Sequence, residues 1–321
     1  MKLLFSAILT LISCVLYAQP VNFVANLAQG SGSYQLEIST TSPNRQIEVH
    51  YYKPQIFNSQ TTVIIVVAGA GRNANDYRDS WIAHAEKYNL LVLSPAYPQQ
   101  QYDFAAYHLG GIVTQLKFKQ PKVEKHNGRI TKYRLKDQDI SFTIENDRAK
   151  WLFDDFDALF NSVKPLLGAK QTGYDLFGHS AGGQILHRYA LFKYGSQANR
   201  IVAANSGFYT LPDLTLPFPW GLLTTNISQQ DVNSAFSKSL FVLLGEADNV
   251  NETRGTLLHT PNTDQQGLGR LERGTYFYEH SQKQAKMAKA VFNWQKILVP
   301  DVGHDYKLMG NAAAKLLYGQ P

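Results

Sequence analysis

A serine flanked by glycines, in the pattern Gly-x-Ser-x-Gly over residues 178–182, is the first candidate for chemistry in this sequence. The mostly apolar residues 174–177 before it predict a buried strand, and residues 184–191 after it predict a helix. A strand, a sharp turn and a helix form the context in which this motif presents a nucleophile. The two glycines remove side chains that would collide around a strained serine backbone. The pattern therefore predicts a nucleophile at Ser180, and the alternative is an inert serine in a glycine-rich loop.

The same turn predicts a hydrogen-bond donor beside the serine. A helix that begins directly after Ser180 places the Ala181 N–H at its positive end. A backbone N–H in that position favours the negative charge that develops on a carbonyl oxygen under attack. We therefore predict Ala181 as an oxyanion donor.

Two further polar residues follow late predicted strands. Asp248 comes shortly after the apolar run 240–245, and His304 follows the run 295–299 through a tight glycine turn. In parallel sheets, sites form beyond the carboxyl ends of the strands. A serine hydroxyl needs a base to take its proton, histidine acts near neutral pH, and a carboxylate orients the imidazole. Ser180, Asp248 and His304 therefore form a predicted triad, in the chain order known for nucleophiles on such sheets.

Other residues compete for the two supporting roles. Glu246 and Asp301 are alternative acids, but Glu246 is still close to the strand end and Asp301 belongs to the histidine's own loop. His179 sits beside the serine, where it cannot reach back productively to that hydroxyl. His187 falls inside the predicted helix and is expected to pack there.

The elements that must position these residues alternate between strands and helices. Residues 34–38 and 46–51 alternate apolar and polar side chains, which predicts an antiparallel hairpin. Residues 62–67 form a continuous β-branched run, typical of a strand buried on both faces. Residues 75–88 predict a helix and residues 90–95 the next buried strand. This alternation indicates an α/β fold with a mostly parallel sheet, helices on both faces and an antiparallel hairpin at its N-terminal side.

The second half of the chain continues this alternation around an irregular aromatic stretch. Predicted elements are an amphipathic helix over 151–167, a strand over 201–206, a polar loop from 246 to 275, a helix over 281–292 and a final helix over 305–318. The stretch 208–221 is rich in proline and aromatic residues and cannot form a regular element. Because it follows a strand end, Tyr209 and Trp220 are predicted substrate-binding residues, although Trp220 could equally be an ordinary packed aromatic.

Composition limits the class of protein. The 321 residues are 44% hydrophobic and 17% charged, which argues against disorder and permits a sizeable core. No internal repeat or low-complexity linker is present, so one domain is expected over residues 19–321. No cluster of histidines or cysteines has metal-ligand spacing, so neither a metal nor a cofactor is predicted.

The N-terminus predicts export. A positive start and an apolar run over residues 3–16 are typical of a signal peptide, with cleavage after Ala18. A lipoprotein processed and anchored at Cys14 is the alternative, although apolar residues follow that cysteine. Cys14 is the only cysteine of the chain, so a product cut after Ala18 can form no disulfide. The expected location is secreted or periplasmic.

A basic segment interrupts the α/β pattern. Residues 115–136, here called the basic segment, carry eight lysines and arginines against one glutamate, a net charge of +7 where the whole chain has +6. Asn127-Gly128 predicts a tight turn, so we expect a protruding basic hairpin inserted into the domain. It is either a solvated ribbon or a patch that contacts an anionic polymer or membrane surface. Nucleic acid is not an expected partner, because no binding module is present.

The three motifs together resemble the α/β-hydrolase fold. They are Gly178-His179-Ser180-Ala181-Gly182, Asp248 within Gly245-Glu246-Ala247-Asp248, and Gly303-His304, and the resemblance covers roughly residues 61–309. Residues 71–74, 77–79, 178–184 with 187–188, and 209–213 are further similar to secreted polyhydroxybutyrate-depolymerase-like hydrolases, a group near the feruloyl esterases. This resemblance implies Ser180 as nucleophile, His304 as base, Asp248 as acid, and the N–H groups of Ala70 and Ala181 as oxyanion donors. Many relatives have histidine before the oxyanion glycine, where this chain has Ala68.

The expected function is that of an exported serine esterase that hydrolyses carboxylic esters through an acyl-enzyme on Ser180. A peptidase or a polysaccharide deacetylase with the same triad is the alternative among enzymes. A catalytically silent surface-binding module that uses the basic segment is the alternative of another class, and an intact triad argues against it.

Overall fold

Eight strands form one mixed sheet in the computed structural model, which describes residues 23–38, 44–168 and 170–319. The predicted signal peptide, its cleavage site after Ala18 and the alternative lipid anchor at Cys14 lie outside the described residues. The strands are β1 (Gly30–Ile38), β2 (Arg45–Lys53), β3 (Thr62–Val67), β4 (Leu90–Ala96), β5 (Val113–Phe118), β6 (Lys122–His126), β7 (Arg129–Arg134), β8 (Ile140–Ile144), β9 (Tyr174–His179), β10 (Ala198–Ala204), β11 (Leu240–Gly245), β12 (Leu257–His259) and β13 (Gln295–Val299). The α-helices are α1 (Ala74–Asp79), α2 (Ile82–Tyr88), α3 (Phe104–His108), α4 (Phe153–Val163), α5 (Ala181–Phe192), α6 (Gln229–Phe236), α7 (Pro261–Gln266), α8 (Arg270–Met287) and α9 (Tyr306–Tyr318).

The sheet has the order β1-β2-β4-β3-β9-β10-β11-β13. The hairpin β1–β2 is antiparallel and β2 pairs antiparallel with β4, whereas the pairs from β4 to β13 are parallel. This arrangement confirms the predicted α/β architecture. The crossover helices place the carboxyl ends of β9, β11 and β13 at one edge of the sheet, where the predicted triad residues follow.

The core lies on both faces of this sheet. Successive residues of β3 alternate between two hydrophobic clusters, with Val63 and Ile65 in one and Ile64 and Val66 in the other. The first cluster includes side chains of α4, α5, α6 and α8, and the second includes side chains of α1, α2 and α9. A strand covered on both sides needs a continuous apolar run, and this explains the β-branched sequence of β3.

The region predicted as one helix over 75–88 forms two. The hydroxyl of Ser80 donates a hydrogen bond to the Tyr77 carbonyl at 2.7 Å, and α2 begins only at Ile82. A serine side chain that bonds to a nearby carbonyl competes with the helical pattern. The break buries Trp81 completely, between α1 and α2.

The helix predicted over 281–292 is displaced. It forms as α8 over Arg270–Met287, and Lys289 then takes a φ of 52°, which ends the helical path. The sequence predicts a loop for its first turns, because Arg270 and Arg273 occupy buried positions where an amphipathic pattern would have apolar residues. Both arginines are less than 2% exposed.

The basic segment is not a free hairpin. Asn127 and Gly128 form the predicted two-residue turn, with φ of 49° and 78°, between β6 and β7. However, β7 also pairs in parallel with β12, which makes a three-stranded sheet, and β5 pairs separately with β8. Pairing with β12 attaches the segment to the loop that follows Asp248.

Candidate active site

Ser180 lies at a strained turn between β9 and α5. Its φ of 59° and ψ of −115° fall outside the regions that non-glycine residues ordinarily occupy. A Cβ atom on Gly178 would lie 2.5 Å from the Gly182 carbonyl oxygen, and one on Gly182 would collide with the carbonyl of Val67. Only glycines permit this close approach, and the turn leaves Ser180 half-buried.

The structure brings the three predicted triad side chains into one chain of contacts. Nε2 of His304 lies 3.1 Å from Oγ of Ser180. Nδ1 of His304 lies 2.7 Å from Oδ2 of Asp248. An ionised Asp248 that accepts from Nδ1–H leaves Nε2 free to accept the serine proton. The geometry therefore suits proton transfer from Ser180 to His304.

A buried arginine that the sequence did not predict contacts Asp248. Nη1 of Arg270 donates to the second oxygen of Asp248, Oδ1, at 3.0 Å, and both side chains are at most 2% exposed. Burial raises the pKa of Asp248, and Arg270 opposes this by favouring the carboxylate. Burial lowers the pKa of His304 well below its ordinary value, and the positive charge of Arg270 adds to this. The imidazole is thus held neutral, the form that accepts a proton.

Glu252 holds the backbone of the loop that carries His304. Its Oε2 accepts the backbone N–H of His304 at 2.8 Å, and the same oxygen contacts Nη2 of Arg254 at 2.6 Å. Burial opposes ionisation of Glu252, but hydrogen bonds from Arg254 and from the His304 N–H lower its pKa to about 2. The sequence offered one signal for this role, since Glu252 and Arg254 both follow the acid within six residues.

The competing residues lie elsewhere. Glu246 and Asp301 are exposed. His179 is buried beneath the site, where its ring packs on His304 at 4.4 Å and its Nδ1 lies 3.3 Å from the Tyr77 hydroxyl. His187 lies in α5, and its Nε2 accepts the Thr210 N–H at 3.0 Å. None of these four contacts the Ser180 hydroxyl in the described residues.

The two predicted oxyanion donors flank the serine. Ala181 is the first residue of α5, so its N–H has no acceptor within the helix and lies at the positive end of the helix dipole. Ala70 belongs to the loop after β3 and lines the same cleft as Ser180. The loop comes close to Ser180, since a Cβ on Gly69 would lie 3.5 Å from Cβ of Ser180.

This chain has Ala68 where many relatives are expected to have a histidine, and Tyr107 anchors the oxyanion loop at that residue. Its hydroxyl donates to the carbonyl of Ala68 at 2.7 Å, and the Tyr107 side chain is only 1% exposed. The guanidinium of Arg72 covers the tyrosine ring at 3.5 Å from its centroid. A tyrosine from α3 thus fixes the chain two residues before Ala70, and no sequence pattern connects positions so far apart.

We expect Tyr107→Phe to lower kcat roughly fivefold with little change in KM, because one neutral hydrogen bond is worth about 1 kcal/mol and its loss loosens the oxyanion loop. Steady-state kinetics on p-nitrophenyl butyrate measure this. Tyr102→Phe is the matched control, since Tyr102 packs in the same aromatic cluster and its hydroxyl makes no hydrogen bond within the described residues. Equal kinetics of the two variants would contradict the anchoring role.

A cleft of about 560 Å³ opens above the serine. Its apolar lining comes from α3, from the basic segment and from β12, and its polar lining includes Ser180 and Gln184. The large apolar and aromatic residues are Phe104, Phe118, Pro121, Tyr133, Leu135 and Leu258. Four of these six belong to the basic segment, which is therefore a wall of the cleft and not a distant ribbon.

Tyr209 and Trp220, predicted to bind substrate, do not line this cleft. Tyr209 is fully buried and stacks on Phe277 at 4.5 Å, and Trp220 is 5% exposed and packs against Phe208 at 5.5 Å. The aromatic stretch 208–221 folds inward because burying large rings contributes more than exposing them. This placement corrects the prediction for both residues and favours packing for Trp220.

Within the described part of the chain, no group of three or more histidine, cysteine, aspartate or glutamate side chains could hold a metal ion. No helix among the described residues is long and apolar enough to cross a membrane.

Solved structures that are similar to this chain include hydrolases. The chain is 32% identical to poly(aspartic acid) hydrolase-1 from Sphingomonas sp. KT-1, over 91% of this chain and 100% of that one, with a TM-score of 0.77. It is 24% identical to a poly(3-hydroxybutyrate) depolymerase from Bordetella parapertussis, over 91% and 90% of the two chains, with a TM-score of 0.73. An IroE-like serine hydrolase from Shewanella oneidensis shares the fold at 12% identity, over 90% and 80%, with a TM-score of 0.51. No protein-family model and no curated protein matches the sequence.

Proposed function

Because the chain belongs to the α/β-hydrolase family of serine hydrolases, we propose that it is an exported serine esterase that cleaves carboxylic esters through an acyl-enzyme on Ser180. The observation that carries the proposal is the contact chain from Ser180 through His304 to Asp248, at 3.1 and 2.7 Å. Export rests on the signal-peptide pattern of residues 1–18, with anchoring at Cys14 as the alternative.

The residues divide the reaction between them. His304 takes the proton of Ser180 as Oγ attacks the ester carbonyl carbon, and the N–H groups of Ala70 and Ala181 donate to the resulting oxyanion. The imidazolium then gives its proton to the leaving alcohol as the bond from the acyl carbon to the leaving oxygen breaks. Water, activated by the same imidazole, attacks the acyl-enzyme and releases the acid. Asp248 orients the imidazole and stabilises its charged form, and Arg270 holds Asp248 ionised.

Hydrolysis of an amide in a polymer is a second candidate. The most specific support is the 32% identity to a poly(aspartic acid) hydrolase over the full length of that chain. The cationic character of the segment that walls the cleft also suits an anionic polymer. The same residues would carry amide hydrolysis, with an amine in place of the alcohol.

A labelling and substrate series tests these proposals. A fluorophosphonate probe should label the wild-type protein, and p-nitrophenyl butyrate should be hydrolysed. Parallel assays with poly(3-hydroxybutyrate) and poly(aspartic acid) then compare ester with amide polymers. Turnover of poly(aspartic acid) without turnover of any ester would favour the second candidate. Absence of labelling and of turnover on every substrate would favour a binding module instead.

A further inference from the structure

A second cavity, here called the rim groove, continues from the cleft. It has a volume of about 610 Å³ and is lined by residues 126–127 and 129–130 of the hairpin and by residues 253–256 of the loop after Asp248. Gly255 and Thr256 line both the rim groove and the cleft. A molecule bound over Ser180 can therefore extend into the rim groove without leaving the protein surface.

Gly255, which lines both cavities, lies beside His304. A Cβ atom on Gly255 would lie 3.0 Å from Nε2 of His304, so this backbone passes directly along the imidazole edge. The leaving oxygen of an ester must come within hydrogen-bond reach of Nε2 to receive its proton. The leaving-group side of a substrate is consequently the side that faces Gly255 and the rim groove.

The rim groove is held in place by the basic segment. The hydroxyl of Thr256 donates to the Ile130 carbonyl at 2.9 Å, and the Leu135 N–H donates to the His259 carbonyl at 3.0 Å. Together with the pairing of β7 and β12, these bonds fix the hairpin to the loop that carries Asp248 and Glu252. The rim groove is therefore formed by hydrogen-bonded backbone that continues into the loop of Asp248.

The charges of the two cavities differ. Arg129 is exposed and makes no ion pair within the described residues, whereas Arg254, half exposed at the same groove, is paired with Glu252 and, at 3.6 Å, with Asp305. Glu252, the partner of Arg254, is only 8% exposed and is already occupied by Arg254 and the His304 N–H. The cleft itself is mainly apolar. A carboxylate would therefore find the unpaired positive charge of Arg129 in the rim groove, and an apolar group would find its match in the cleft.

We propose that the rim groove is a leaving-group subsite that binds carboxylates, so the preferred substrate joins an apolar acyl group to an alcohol portion that carries carboxylate groups. This inference rests on the proposed ester hydrolysis. It assigns Arg129 as a specificity-determining residue that acts on the part of the substrate beyond the leaving oxygen.

Two isosteric peptide esters test the proposal: N-acetyl-(O-butyryl)Ser-Asp-Asp-amide and N-acetyl-(O-butyryl)Ser-Asn-Asn-amide, with butyrate release followed by chromatography. The acyl group and the ester are identical, and only the charge of the leaving portion differs. We expect the wild-type kcat/KM to be roughly three- to tenfold higher for the aspartate peptide, the size of effect that a few exposed charges give. This preference should disappear at about 0.5 M salt, because the charges are exposed and screened.

Arg129→Glu should reverse the preference, and Arg129→Gln should reduce it toward unity. Lys286→Gln is the matched control, because Lys286 is an exposed cation about 24 Å along α8 from Arg270 and should leave the ratio of the two rates unchanged. Equal wild-type rates on the two peptides, or a preference that Arg129→Glu does not alter, would overturn the subsite. Hydrolysis of p-nitrophenyl butyrate but of neither peptide would also overturn the subsite, whereas absence of turnover on all three esters would contradict the proposed ester hydrolysis itself.

Discussion

Ser180→Ala is expected to lower kcat on soluble esters by about 10⁶ while the protein remains folded, because loss of a triad serine typically has an effect of that size. Oγ of Ser180 is the atom that lies 3.1 Å from Nε2 of His304, and alanine removes only that oxygen. Because alanine keeps Cβ, the backbone at φ 59° carries the same strain in both proteins. Turnover of p-nitrophenyl butyrate and thermal melting measure these two expectations, and labelling by a fluorophosphonate probe should also be lost.

Ser237→Ala provides the matched control, since it removes the hydroxyl of an exposed serine at the end of α6. It should keep full labelling and turnover. If purified Ser180→Ala retained more than about a thousandth of the wild-type kcat, Ser180 could not be the nucleophile.

Local sequence rules predicted the elements that carry the proposed triad. The apolar run of β3, the strand and helix around Ser180 and the polar residues after β11 and β13 all depend on neighbours in the chain. The periodicity of buried strands and the glycines of a tight turn are local signals, and the order of parallel strands then brings Ser180, Asp248 and His304 to one edge.

The second layer of the site depends on distant pairings, and the sequence could not predict it. Arg270 reads as a solvated charge at the end of a polar loop, yet it is buried against Asp248 across 22 positions of the chain. Tyr107 supports the Ala68 carbonyl across 39 positions. A single sequence gives no information on which buried polar groups meet, since each requires only some partner and not a particular one.

The part that the basic segment plays in the cleft could not be predicted from the sequence either. Its charges and its Asn127-Gly128 turn were correctly read, but charge counting predicts only that the segment is exposed. Its apolar residues Phe118, Tyr133 and Leu135 line the cleft, and its β7 pairs with β12. Removal of the segment would therefore open one wall of the cleft.

Asp248→Asn is expected to lower kcat by about 10⁴, because an amide in place of the carboxylate can donate to Nδ1 and so favours the imidazole tautomer that carries its proton on Nε2. In that tautomer Nε2 cannot accept the proton of Ser180. Because Nδ1 of His304 lies 2.7 Å from Asp248, an amide at position 248 would contact the imidazole directly. Turnover of p-nitrophenyl butyrate, together with thermal melting, measures it.

The substitution also leaves Arg270 as a buried charge beside a neutral amide. Breaking a buried ion pair by neutralising one partner destabilises proteins by about 3–5 kcal/mol, so the melting temperature should fall as well. Kinetics must therefore be measured well below the melting temperature of the variant, where a loss of turnover reports the tautomer and not unfolding. Glu246→Gln makes the same chemical change at an exposed carboxylate two residues away and should leave both kcat and melting nearly unchanged. If Glu246→Gln were the more damaging of the two, the acid would be Glu246, and the buried pair of Asp248 with Arg270 would be a structural feature of the loop.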